Sequence, residues 1–195
     1  MAGGSKVVIK VKGKGGHGSE PAYSIDPITA ATFIHSALHT VKSRKVFNSD
    51  VLAFTICSIA SGTANNVIPD EAIIQGTIRY LSVEARDKLE KFISKITLKT
   101  AEAHECTAEV SFAHFFDPTI NHDIQTEIVY NIVKSQLGES MLDTTKGLPV
   151  MASEDFSFYL NLIPGCFFFL NNNQEGKAPL SLHDCNYYIY LLFGT

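Results

Sequence analysis

The chain has 195 residues, 45% of them hydrophobic and 18% charged, with a net charge of -4. That is a globular composition with enough apolar material for a real core, in one large domain or two small ones. The mildly acidic balance and the lack of any long Lys/Arg block exclude a broad nucleic-acid surface, and no uninterrupted apolar run is long enough to span a bilayer.

The opening Met1-Ala2-Gly3-Gly4-Ser5 leads almost directly into a strand and carries no signal-peptide pattern. Residues 6–12 alternate, with Val7, Ile9 and Val11 on one face and Val8, Lys10 and Lys12 on the other, as in a half-buried strand. Lys14-Gly15-Gly16-His17-Gly18-Ser19-Glu20-Pro21 follows. Glycine lets another surface come close, and an imidazole on such a loop, with no apolar neighbours to bury it, is available for contact. Taken alone, the stretch reads first as a tight turn with an incidental histidine; the motifs further along the chain favour a functional one. Asp26-Pro27 reads as an N-cap with proline at the first helical position. Ile28, Ala31, Ile34, Leu38 and Val41 then form an apolar stripe, so the spacing predicts a helix to about Ser43. His35 and His39 on it are four apart and in reach of one metal ion, but no acidic partner sits beside them; a partly exposed helix face is the simpler reading.

A second strand is predicted over 51–59, with Leu52, Phe54 and Ile56 on one face, and a polar loop over 61–66. The third, 72–81, puts Ile74, Gly76, Ile78 and Tyr80 on one face and Gln75, Thr77 and Arg79 on the other. A helix over 82–105 carries the stripe Leu89, Phe92, Ile93 and Ile96, with Ser82 as cap and Glu84 in the first turn. The fourth strand is 107–116. The order β-α-β-β-α-β is the split pattern of the ferredoxin-like fold, an α+β architecture.

Phe115-Phe116-Asp117-Pro118-Thr119 breaks the rhythm, and a boundary is expected between a domain over 1–116 and a segment over 117–195. In the second part a helix opens near His122-Asp123, turns Ile124, Ile128, Ile132 and Leu137 inward and closes at Gly138. Glu154 and Asp155 are expected in the first turn of a short helix ending before Pro164, and 166–170 reads as a buried strand. One or two strands and two helices are too little for an independent layered sheet. The second part is therefore expected to be the end of a larger α/β domain whose N-terminal half is absent. Cys57, Cys106, Cys166 and Cys185 form no C-x-x-C pair, so free thiols and a cytoplasmic setting are expected.

Five motifs then occur in order: Gly13-Lys14-Gly15-Gly16-His17, Asn66-Val67-Ile68-Pro69-Asp70, Gly76-Thr77-Ile78-Arg79, Ser153-Glu154-Asp155-Phe156 and Leu182-His183. Together they resemble the aminoacylase/carboxypeptidase family of co-catalytic metallopeptidases, in particular its amidohydrolase branch of hippurate and auxin-conjugate hydrolases. The resemblance implies a zinc-peptidase-like catalytic domain carrying a ferredoxin-like lid, with the lid forming a homodimer contact. It implies that His17 reaches substrate, commonly across the dimer, as a donor to the oxyanion. It further implies that Asn66 and Arg79 hold the substrate carboxylate, that Glu154 lines the pocket or simply begins a helix, and that His183 is a metal ligand. A surface salt bridge is the alternative for Arg79. The implied substrate is a small N-acyl amino acid or peptide, and the implied cofactor a divalent metal, zinc or manganese.

The remaining ligands of that family precede the lid, and one histidine cannot hold a catalytic zinc. This chain alone is therefore expected not to bind the metal stably and to be inactive. The alternative is a non-catalytic dimerisation or binding module. No nucleic-acid or membrane partner is expected; for RNA, the strands lack a pair of exposed stacking aromatics in a basic setting.

Overall fold

The computed structural model describes residues 1–46, 50–143 and 147–170. In chain order it contains β1 (Gly3–Lys12), β2 (Gly16–His17), α1 (Pro27–Lys45), β3 (Leu52–Ser61), β4 (Val67–Ile68), β5 (Glu71–Tyr80), α2 (Val83–Ala103), β6 (Thr107–Phe116), α3 (Asp123–Leu137) and α4 (Phe156–Leu160). The four long strands make one antiparallel sheet of order β3-β5-β1-β6.

Alternation explains the core. Val7, Ile9 and Val11 of β1 and Ile74, Ile78 and Tyr80 of β5 are fully buried in one cluster with Ile34, Leu38 and Val41 of α1 and Leu89 and Ile93 of α2. Both helices therefore cover the same sheet face, as the apolar stripes require. α1 lies over β3 and β5, and α2 over β6. Asp26 caps α1, its Oδ1 accepting from Ile28 N at 2.8 Å, and Ser82 caps α2, its Oγ accepting from Ala85 N at 3.3 Å.

β3 is an outer strand of the sheet and carries no charged side chain along its ten residues. Long uncharged edges are the ones that pair readily with another chain. β2 and β4, which sequence patterning does not signal, pair as a two-residue ribbon beside the sheet.

Four expectations are corrected. Ile28 is 42% exposed, because it lies at the first turn of α1 beyond the covered stripe. The stripe of α3 is not turned inward: Ile124, Ile128, Ile132 and Leu137 are all at least half exposed, since no long described element packs on that helix. Residues 166–170 are not a strand, and Phe168, Phe169 and Leu170 are exposed; a strand needs a ladder partner, and none is present among the described residues. Finally, Glu154 and Asp155 precede α4 instead of forming its first turn.

The chain start ties the sheet to the later residues. Ala2 N donates to the Val150 and Ala152 carbonyls at 3.1 and 3.0 Å, and Thr119 N donates to the Met1 carbonyl at 3.1 Å. This sets the 150–154 loop against the beginning of β1. Among the described residues no helix is long and apolar enough to cross a membrane.

Candidate functional site

His17 is held by backbone bonds from several directions. Gly13 N donates to Asp70 O and Gly15 N to Asp70 Oδ1, both at 2.8 Å, while Lys14 and Ile25 exchange bonds of 2.9 and 2.8 Å. Gly18 N donates to Asn66 O at 2.8 Å, and His17 pairs with Val67 across the ribbon. The glycines serve close approach: a Cβ on Gly13 would meet the Ile25 carbonyl oxygen at 2.1 Å, and one on Gly15 the Ile68 carbonyl oxygen at 2.7 Å.

The exposed His17 ring has its proton placed by Ser19. Ser19 N donates to Nδ1 at 3.2 Å, and Ser19 Oγ lies 2.7 Å from the same atom. A backbone N–H can only donate, so Nδ1 accepts and the neutral ring carries its proton on Nε2. Nε2–H has no partner among the described residues and points a donor outward. Asn66, exposed, neighbours it across the ribbon.

Arg79 sits elsewhere. It lies on the sheet face away from the helices, between Gly4 of β1 and Ala53 of β3. Its Nη1 donates to Thr77 Oγ1 at 2.6 Å and to the Ile78 carbonyl at 3.2 Å. No carboxylate pairs with it among the described residues, so the salt-bridge alternative is not what the fold adopts. A Cβ on Gly4 would lie 2.9 Å from Ser153 Oγ and 3.2 Å from Arg79 Nη1. Glycine there leaves the guanidinium and the hydroxyl over one small space. Ser153 Oγ is buried and unpartnered, a state that normally costs free energy unless something completes it.

Half-buried Glu154 follows Ser153. Its Oε1 accepts from Asp155 N at 3.1 Å, and its carbonyl accepts from Ser157 Oγ at 3.0 Å and Ser157 N at 3.4 Å. These bonds organise the start of α4. The residues singled out from sequence thus fall into two groups: His17 with Asn66, and Arg79 with Ser153 and Glu154. β1 separates them. Gly4 pairs with Arg79, Lys12 leads to the His17 loop, and eight residues of strand span about 26 Å. His183 lies outside the described residues.

Sequence reasoning did not single out Gly4 or Ser19. Only the strand register places Gly4 under Arg79. Ser19, two residues after the histidine, fits a local side-chain turn and was findable on that ground. Among the described residues no group of three or more His, Cys, Asp or Glu comes together to hold a metal ion, so these residues by themselves do not fit a catalytic metal centre. The three described cysteines, Cys57, Cys106 and Cys166, are free thiols.

Residues 2–105 match the family described as "Peptidase dimerisation domain". The chain is 34% identical over 186 residues to the IAA-amino acid hydrolase ILR1-like 4 of Arabidopsis thaliana, covering 93% of this chain and 42% of that protein. It is 36% identical over 171 residues to thermostable carboxypeptidase 2 of Saccharolobus solfataricus, covering 87% of this chain and 42% of that one. Among solved structures, a putative aminohydrolase from methicillin-resistant Staphylococcus aureus superposes with a TM-score of 0.81 at 28% identity, covering 96% of this chain and 48% of the other. The YXEP protein of Bacillus subtilis, a dinuclear metal binding peptidase from the M20 family, superposes with a TM-score of 0.67 at 26% identity, covering 86% of this chain and 40% of that one. The chain therefore spans less than half the length of each of these relatives.

Proposed function

The chain belongs to the M20 peptidase dimerisation-domain family, and on that premise we propose that it supplies the lid and dimer contact of a metal-dependent amidohydrolase or peptidase acting on N-acyl amino acids or small peptides. In this reading residues 1–116 are the lid and 117–195 belong to the catalytic domain.

One observation carries the reading. The free Nε2–H of His17 and the guanidinium of Arg79, paired with no carboxylate among the described residues, belong to opposite ends of β1, whose residues from Gly4 to Lys12 span about 26 Å. A substrate the size of an acylated amino acid cannot touch both groups of one chain. It can touch the imidazole of one chain and the guanidinium of another if two sheets join. The uncharged edge β3 is the surface suited to that joining.

Each group then has a task that its surroundings favour. Arg79 has no carboxylate partner among the described residues, and the guanidinium donors not engaged by Thr77 and Ile78 can take the carboxylate of a substrate. Ser153 Oγ, buried beside the same space, is a further donor to that group. Across the dimer His17 Nε2–H donates to charge developing on the scissile carbonyl oxygen, with Asn66 beside it. Glu154 shapes the loop that presents Ser153. A divalent metal centre, zinc or manganese, belongs in this reading to the whole enzyme and not to the described residues, and this chain alone is inactive.

The absence of a three-ligand cluster among the described residues favours a second reading, a non-catalytic dimerisation or binding module. One set of measurements separates the two. Multi-angle light scattering should give twice the chain mass, and Thr55→Lys with Ser58→Lys on β3 should weaken the dimer at least tenfold. Saturation-transfer NMR with an N-acyl amino acid should show contact that Arg79→Ala removes. A monomer at every accessible concentration would sink the dimer, ligand contact that ignores Arg79→Ala would leave only the binding module, and turnover by the metal-loaded chain would disprove its inactivity.

A further inference from the structure

On α1, away from His17 and Arg79, two imidazoles converge. His35 Nε2 and His39 Nε2 are 3.0 Å apart, with the rings edge to face at a centroid distance of 4.4 Å. Neither ring has another hydrogen-bond partner among the described residues. His35 is half-buried and His39 exposed, so the pair is open to solvent on one side.

Its place on the helix is defined. Phe33 stacks on His104, at the end of α2, with ring centroids 4.7 Å apart. His35 lies two residues on, about 200° round the helix axis. The histidine pair is therefore on the flank of α1 turned away from α2, on the β3 side of the sheet.

We propose that His35 and His39 form a surface chelate for a late first-row divalent cation, with Cu²⁺ preferred. The ligand type selects the ion class. Two imidazole nitrogens 3.0 Å apart, four residues apart on one helix, are close enough for one ion about 2.0–2.1 Å from each to bridge, and imidazole suits Cu²⁺, Ni²⁺ and Zn²⁺. Cu²⁺ stands highest in the affinity order for nitrogen ligands among these ions.

In the metal-free pair one Nε2–H donates to the other Nε2. On binding, the donor ring keeps its proton on Nδ1 instead, so both Nε2 lone pairs face the ion and both rings stay neutral. No third His, Cys, Asp or Glu joins the pair among the described residues, so water fills the other positions and the ion stays exchangeable. The two ligands are four residues apart, and closing them on one ion clips a single turn of α1.

The test is titration of the untagged 195-residue chain with Cu²⁺, followed by electron paramagnetic resonance and by the thermal unfolding midpoint. Circular dichroism confirms that the variants fold. One Cu²⁺ per chain is expected at this site, with coupling to two equatorial imidazole nitrogens and a midpoint raised by the metal. His39→Gln and His35→Gln should each lower the affinity at least tenfold, lose one nitrogen coupling and abolish the rise. Zn²⁺ should bind more weakly than Cu²⁺. A wild-type spectrum with one coupled nitrogen, or unchanged affinity in the folded double variant, would overturn the assignment.

Discussion

At the scale of single residues, burial and partners decide what each polar group does. Glu90 on α2 shows this away from the candidate site. Its Oε1 is buried without a hydrogen bond, 3.7 Å from His114 Nδ1. Burial raises its pKa, opposed in part by His114 and Arg86 and reinforced by Asp87. A folded-state pKa above the unfolded one means that the folded chain prefers the proton. The stabilising contribution is therefore complete below the ordinary glutamate range, about 4.3, and is lost as the pH rises through the raised value. Glu90→Gln should accordingly raise the denaturation midpoint near pH 7.5, with the two proteins converging near pH 3.5. A gap of the same size at both values would refute the assignment. At His17, Arg79 and Ser153 the same logic points outward: among the described residues the imidazole N–H and the Ser153 hydroxyl have no partner and the Arg79 cation has no carboxylate, where a ligand can supply one.

At the scale of elements, local signals and local structure agree where the signal is chemical. Asp26-Pro27 starts α1 as the cap chemistry dictates, with Asp26 Oδ2 also accepting from Thr29 Oγ1 at 2.6 Å. Asp26→Ala should cost about 1 kcal/mol, within the usual range of about 0.5–2 kcal/mol for a lost cap. Urea denaturation of the pure chain would measure it, and no change would mean that Pro27 alone suffices. Agreement fails where the signal is a bare apolar run. Among the described residues, 166–170 have strand composition but no ladder partner, and the stripe on α3 has correct helical spacing but no long neighbouring element. Periodicity states which face is apolar; it does not state what covers it.

Across the whole molecule, the described core is the one between the sheet and the α1–α2 pair. Leu89 is fully buried in it, whereas Ile128 on α3 is 51% exposed. Leu89→Ala should therefore cost about 2–5 kcal/mol, and Ile128→Ala should stay within about 0.5 kcal/mol. Equal effects in a thermal or chemical melt would show that α3 is packed in solution by something the described residues do not include. By itself the sequence determined the four long strands, the two helices between them, their caps and the faces they bury, because alternation, helical spacing and capping are properties of neighbours in the chain. It also singled out His17, Asn66, Arg79 and Glu154. Only the tertiary structure decided that these fall at two ends of one sheet, that Gly4 opens the space beside Arg79, and that His35 and His39 meet at their Nε2 atoms. Those facts depend on strand register and rotamer, which join residues far apart in sequence or fix angles that composition does not encode.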